Sequence, residues 1–174
     1  ALGLLSGAAI GKVTEYFTSF DFGPVISIKD RAHTGPGTVV IQGLGVGMIS
    51  TVPPIVILIS CILGCNALAD SYGVAIAAVG MLSTLGVTLS TDAYGPVADN
   101  AGGLAEMAGL GPEVRAKTDS LDALGNTTAA TGKGFAIGSA VLTALSLLVA
   151  FQQKVGVGLA FEVGDPVIIA GLLF

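Results

Sequence analysis

An all-α, polytopic transmembrane helix bundle is the fold class this sequence predicts, and three observations predict it. Hydrophobic residues make up 52% of the 174 and charged residues only 11%, where a soluble domain carries about a quarter charged. So few charges cannot cover a water-facing surface, and the apolar runs are too long for a disordered chain. Those runs reach about 20 residues, enough to cross the hydrocarbon core as a helix. Glycine is abundant, at 26 residues, as befits helices whose backbones approach closely in lipid. Tryptophan is absent, so the interfacial belt rests on a few Tyr and Phe and the segment is expected to sit largely inside a bundle. A net charge of −5 excludes a nucleic-acid surface, which needs clustered Lys and Arg.

Five segments follow in order. Residues 1–20 read as the tail of a span, carrying Lys12 and Glu15. A polar loop over 21–37 is punctuated by Pro24 and Pro36. The second span covers 38–69, with Pro53 and Pro54 expected to kink it rather than end it. A short link at 70–72 leads to the third, 73–110, which Gly111 and Pro112 end. The fourth runs over 113–151, and a fifth starts at Pro166 and is cut off at Phe174. There is no signal-peptide pattern and both ends fall within apolar runs, so an internal piece of a longer chain is expected.

As single helices, the third and fourth segments would each be about 55 Å long, against a hydrocarbon core of about 30 Å. Their polar ends are therefore expected to project from the lipid on one side, beside the turn that joins them. Lys29, Arg31, Arg115 and Lys117 fall on that side and only Lys154 on the other, which points the acid-rich ends to the cytoplasm.

Chemistry concentrates in two stripes. Asp92, Asp99 and Glu106 recur every seventh residue, on one helical face with Asn100 beside it. Asp119, Asp122, Asn126, Ala129 and Lys133 share one face of the next helix. Carboxylates among Ala, Gly, Leu and Ile are costly in a membrane unless they face a polar cavity, and there they mark a functional path. Two acid stripes meeting across a hairpin need cations between them. Oxygen-only ligands suit Mg²⁺, which keeps waters and bridges carboxylates to substrate phosphates. Such ions neutralise the leaving group, and a carboxylate can take the attacking water's proton. Glu113, Asp70 and Asp165 instead read as helix-end or turn residues.

Other apparent motifs fail. Residues 125–134, GNTTAATGKG, have the wrong spacing for a phosphate-binding loop and lie within a helix. The Asn126-Thr127-Thr128 acceptor pattern is equally misplaced for glycosylation. His33 has no Ser or Cys partner in view, and Cys61 with Cys65 read as core thiols. Gly43, Gly45 and Gly47, and Gly134 with Gly138, read as close-packing positions.

The run DAYGPVADNAGGLAEM over 92–107, followed by TDSLDALGNTTAATGKGFAIGSA over 118–140, closely resembles the membrane-bound, ion-translocating pyrophosphatases. Weaker similarity extends over 3–19, 34–48 and 72–84. The resemblance implies a homodimer with sixteen spans per subunit, of which this chain would supply about the ninth to the start of the thirteenth. It implies hydrolysis of Mg²⁺-complexed inorganic pyrophosphate at the cytoplasmic face, driving H⁺ or Na⁺ across the bilayer. The membrane would be the plasma membrane of a prokaryote or a vacuole-type organelle of a eukaryote.

By the same resemblance, Asp99 is the Mg²⁺-ligand aspartate of a DN pair and Asn126 lines the substrate site. Asp92, Asp119, Asp122 and Lys133 fall on polar positions of the family, with Asp92, Asp122 and Lys133 assigned to substrate binding. Ala129 and Gly132 resemble the potassium-dependent branch, whose relatives without that dependence carry Lys at the first position; K⁺ is thus an expected activator. The family's remaining acids, its substrate lysines and most of its ion gate lie outside these residues. A secondary transporter using the same carboxylates as a coupling-ion site, without hydrolysis, is the alternative.

Overall fold

Proline in this chain marks mostly where helices begin. Pro24, Pro36, Pro53 with Pro54, and Pro112 all stand in the first turn of a helix, where the missing N–H is no loss and the fixed φ is already helical. A computed structural model of the chain describes residues 1–155 together with Pro166, Ala170 and Gly171. The rest of the fifth segment expected over 166–174, and Asp165 before it, lie outside the described residues.

The helices are α1 (Leu2–Thr18), α2 (Gly23–Asp30), α3 (Pro36–Ser50), α4 (Val52–Leu82), α5 (Leu85–Met107) and α6 (Pro112–Val155), with a 3-10 turn at Arg31–Thr34. No strand occurs among the described residues. The stretches Pro36–Leu82 and Pro112–Val155 are long and apolar enough to cross a membrane.

Three boundaries differ from the sequence reading. The loop over 21–37 contains α2, which Pro24 opens and which Gln42 Nε2 ties to α3 by donating to Ser27 Oγ at 3.1 Å. Thr51 interrupts the second span with near-helical angles (φ −75°, ψ −27°), so α3 runs almost directly into α4. The segment expected over 73–110 is broken at Ser83–Thr84, where Ser83 Oγ donates to the Gly80 carbonyl at 2.7 Å and Thr84 leaves helical geometry (φ −98°, ψ 0°). A hydroxyl bonding its own backbone offers the chain such an alternative to the helical ladder.

Within α4, Ala69 and Asp70 are non-helical, and the chain doubles back there. A Cβ on Gly73 would collide with the Cys65 carbonyl oxygen, which a straight helix would hold about 12 Å away. The second limb of α4 runs alongside α1: Gly3 lies against Ala77 and Gly7 against Met81. α6 returns antiparallel to both. Ile10, Cys61, Cys65, Val74, Ala77, Ala78, Met81, Phe135 and Leu142 form the buried core between α1, α4 and α6.

The glycines divide accordingly. Gly134 packs on Thr14 and Ile10, and Gly138 on Leu58, Ile10 and Met81, whereas nothing approaches Gly43, Gly45 or Gly47. α3 has no buried residue, and Ile41, Leu44 and Met48 face outward, so among the described residues its glycines are not the packing positions expected of them.

Candidate active site

Beyond Gly134, which packs on Thr14, α6 reaches about 33 Å further to Pro112 at 1.5 Å per residue, and there it pairs with α5. Their register is set by small residues. A Cβ on Gly125 would come within 2.9 Å of the Gly95 Cα, Gly102 faces Thr118 and Gly132 faces Thr88. Backbones this close leave each helix a groove on one side of the contact, and there the polar stripes stand.

Two adjoining cavities share Asp99. The inner one, about 320 Å³, is lined by Asp92, Gly95, Pro96, Asp99, Gly125, Asn126, Ala129 and Lys133. The outer one, about 470 Å³, lies nearer the turn and is lined by Asp99, Gly102, Gly103, Glu106, Arg115, Asp119 and Asp122. Each is of small-ligand size. Asp99 and Asn126 thus face one chamber, with Asp92, Ala129 and Lys133 beside them. Gly132 is buried at the helix contact rather than on the cavity wall.

Asn126 Nδ2 donates to Asp122 Oδ2 at 3.1 Å. That bond spans one helical turn and fixes the carboxylate, leaving its other oxygen and the Asn126 carbonyl oxygen to accept from a ligand. Asn100 turns away: its amide donates to the Pro96 carbonyl at 2.7 Å, and it lines the apolar groove of Val97, Ala101 and Leu104 on the far side. The DN pair therefore divides between two faces of α5, and only its aspartate enters the chamber. Among the described residues no three His, Cys, Asp or Glu side chains gather closely enough to hold a metal alone. Asp99 and Lys133 are exposed, so this hairpin forms one wall of a chamber, open on its far side.

Sequence reasoning missed Arg115, which it used only for orientation. The guanidinium pairs with Glu106 on α5 and with Asp119 at 3.1 Å on α6, and donates to the Gly102 carbonyl at 3.3 Å. Its spacing of four from Asp119 was a legible signal; the contact with Glu106 required the hairpin register. Tyr94 was missed as well, its hydroxyl donating to the Leu121 carbonyl at 3.4 Å across the pair.

The family model of the inorganic H⁺ pyrophosphatases matches residues 1–174. The chain belongs to that family. Among curated relatives, the K(+)-stimulated pyrophosphate-energized sodium pump of Thermotoga maritima is 51% identical over 151 residues, 87% of this chain. Proteins of Bacteroides thetaiotaomicron and Clostridium tetani, provisionally described as such pumps, are each 55% identical, over 91% and 88% of the chain. The matches take in 21% of the Thermotoga protein, 23% of the Bacteroides protein and 24% of the Clostridium protein. This pyrophosphatase chain thus spans about a quarter of the length of the proteins it matches, in keeping with a one-sided chamber.

Proposed function

We propose that the full-length protein hydrolyses Mg²⁺-complexed inorganic pyrophosphate at the cytoplasmic face of its membrane and couples this to export of Na⁺ or H⁺, with K⁺ as activator. The observation that carries the reading is the shared chamber of Asp99 and Asn126, walled by oxygen donors and one lysine. The relatives' names supply the pyrophosphate, the sodium and the K⁺ stimulation.

The donor set fits magnesium. Asp99, between the two cavities, and Asp92 and Asp122 on either side offer separate carboxylates without His or Cys. Such a set suits an ion that completes its shell with waters and phosphate oxygens and not a closed protein cage. Bound there, Mg²⁺ would neutralise charge developing on the departing phosphate.

The chain's own residues do the rest. Lys133 sets a positive charge against the substrate from α6. Asn126 holds Asp122, and a carboxylate of the chamber accepts the proton of the attacking water. Ala129 puts no fixed cation at its own position on the wall, which leaves room there for a mobile K⁺ near the substrate. Homodimeric assembly belongs to the same reading, by the family resemblance.

The test is phosphate release by purified full-length protein in liposomes, with and without K⁺ and Na⁺, while cation uptake is followed. Hydrolysis that rises with K⁺ and moves Na⁺ or H⁺ is the expected result. Cation movement without phosphate release would favour the secondary transporter.

A further inference from the structure

We infer that Arg115 is a positioning residue that keeps Glu106 and Asp119 from serving as cation ligands, so that divalent ions bind deeper in the groove, at Asp99 and Asp122. The inference rests on reading the groove as the metal–pyrophosphate site. Four carboxylates line the outer cavity and Arg115 is the one cation among its lining residues. The guanidinium does not spread its charge evenly. One nitrogen takes Glu106 and the Gly102 carbonyl and the other takes Asp119, so the two acids nearest the turn are engaged from both helices at once. Asp99 and Asp122 pair with no Lys or Arg among the described residues.

The guanidinium suits this task because its rigid fork addresses two acceptors in fixed directions, which a single ammonium does less well. It is also the least exposed member of the cluster, its side chain 31% exposed against 69% for Glu106 and 56% for Asp119. Without it, two carboxylates would face each other across the mouth with no countercharge, an arrangement that draws a divalent cation to the wrong place.

The experiment counts Mn²⁺ bound to full-length protein by equilibrium dialysis without substrate, then follows hydrolysis as free Mg²⁺ rises. Arg115→Gln is expected to bind additional Mn²⁺ per subunit and to be inhibited by excess Mg²⁺ at several-fold lower concentration. Arg115→Lys should fall between the two. Adding Glu106→Gln and Asp119→Asn to Arg115→Gln should return the Mn²⁺ count to that of the wild type.

An unchanged Mn²⁺ count and Mg²⁺ profile in Arg115→Gln would overturn the inference. A lowered melting temperature alone would then leave a structural strut, and a raised KM for pyrophosphate alone a substrate contact. Should Arg115→Gln fail to fold, the Glu106→Gln/Asp119→Asn protein with Arg115 intact decides: it should bind as much Mn²⁺ as the wild type, and a loss would overturn the proposal. Wild-type protein that releases no phosphate would sink the catalytic reading by itself and leave the Mn²⁺ count to judge Arg115.

Discussion

The two halves of α6 are held by different physics. From Gly132 to Leu142 the helix is clasped by α1 and α4, with Phe135, Gly138, Ser139 and Leu142 buried against Ile10 and Met81. From Pro112 to Asn126 it pairs with α5, through glycine backbones, one arginine and one tyrosine. The first half is closely packed and chemically inert. The second is polar, half open, and carries every acid of the groove that α6 contributes. The difference separates duties: rigidity comes from the apolar end, which aims the helix, so the polar end can keep carboxylates free for cations at little cost in packing.

The sharpest way to break that comparison is at the polar end. Asp99→Ala in the full-length protein should lower phosphate release by roughly 10²–10⁴-fold, the scale of losing several kcal/mol of metal-borne charge stabilisation. Its melting temperature should stay near that of the wild type, because Asp99 is exposed and outside the core. Retained hydrolysis, or a collapse in stability, would place Asp99 in the scaffold instead.

A smaller effect is expected from adding charge on the chamber wall. Ala129 lines the same cavity as Asp92, Asp99 and Asn126, so Ala129→Lys would set an ammonium where the proposed K⁺ resides. Activity without K⁺ should rise toward the K⁺-stimulated level, and added K⁺ should then change the rate little. An Ala129→Lys protein still stimulated several-fold by K⁺ would move the activating ion elsewhere.

Much of this division is legible in the amino-acid order. Seven-residue spacing puts Asp92, Asp99 and Glu106 on one face, and the stripe from Asp119 to Lys133 needs only helical periodicity to face it across a short turn. What the pattern does not carry is how each residue is shared out at a contact. Asn100 neighbours Asp99 in sequence and yet bonds back to the Pro96 carbonyl and lines a separate groove with Val97 and Leu104, because one step along a helix is about 100° of rotation. Arg115 looked like an orientation signal because its partner Glu106 comes from the other side of the turn. Gly43, Gly45 and Gly47 carry the same small-residue signature as Gly134 and Gly138, but only the latter meet a neighbour here. Small-residue spacing reports that a helix can be approached closely, not which partner does so.

At the apolar end the expected loss is in stability. Leu142 is fully buried, at 0% exposure, and Leu142→Ala should destabilise the protein by about 2 kcal/mol through the cavity it leaves. Thermal melting of the detergent-solubilised protein reads this, and the Mg²⁺ concentration for half-maximal hydrolysis should not move. A shift in that concentration without loss of stability would mean the two halves are not separate in their duties.

The smallest effect is expected at the reversal inside α4, on the scaffold side. Asp70 has φ +47° and ψ −145°, and it is the one non-glycine residue with positive φ among the described residues. A side chain is strained there and glycine is not. The turn is also what brings Gly73 against Cys65 and carries the second limb of α4 alongside α1. Asp70→Gly removes the Cβ penalty but loosens the unfolded chain, which offsets part of the gain. The net expectation is stabilisation of about 1 kcal/mol, with hydrolysis and K⁺ response unchanged because Asp70 lines neither cavity. A destabilised Asp70→Gly protein would show that the carboxylate itself holds the reversal, and that this end of the scaffold, too, depends on a charged group.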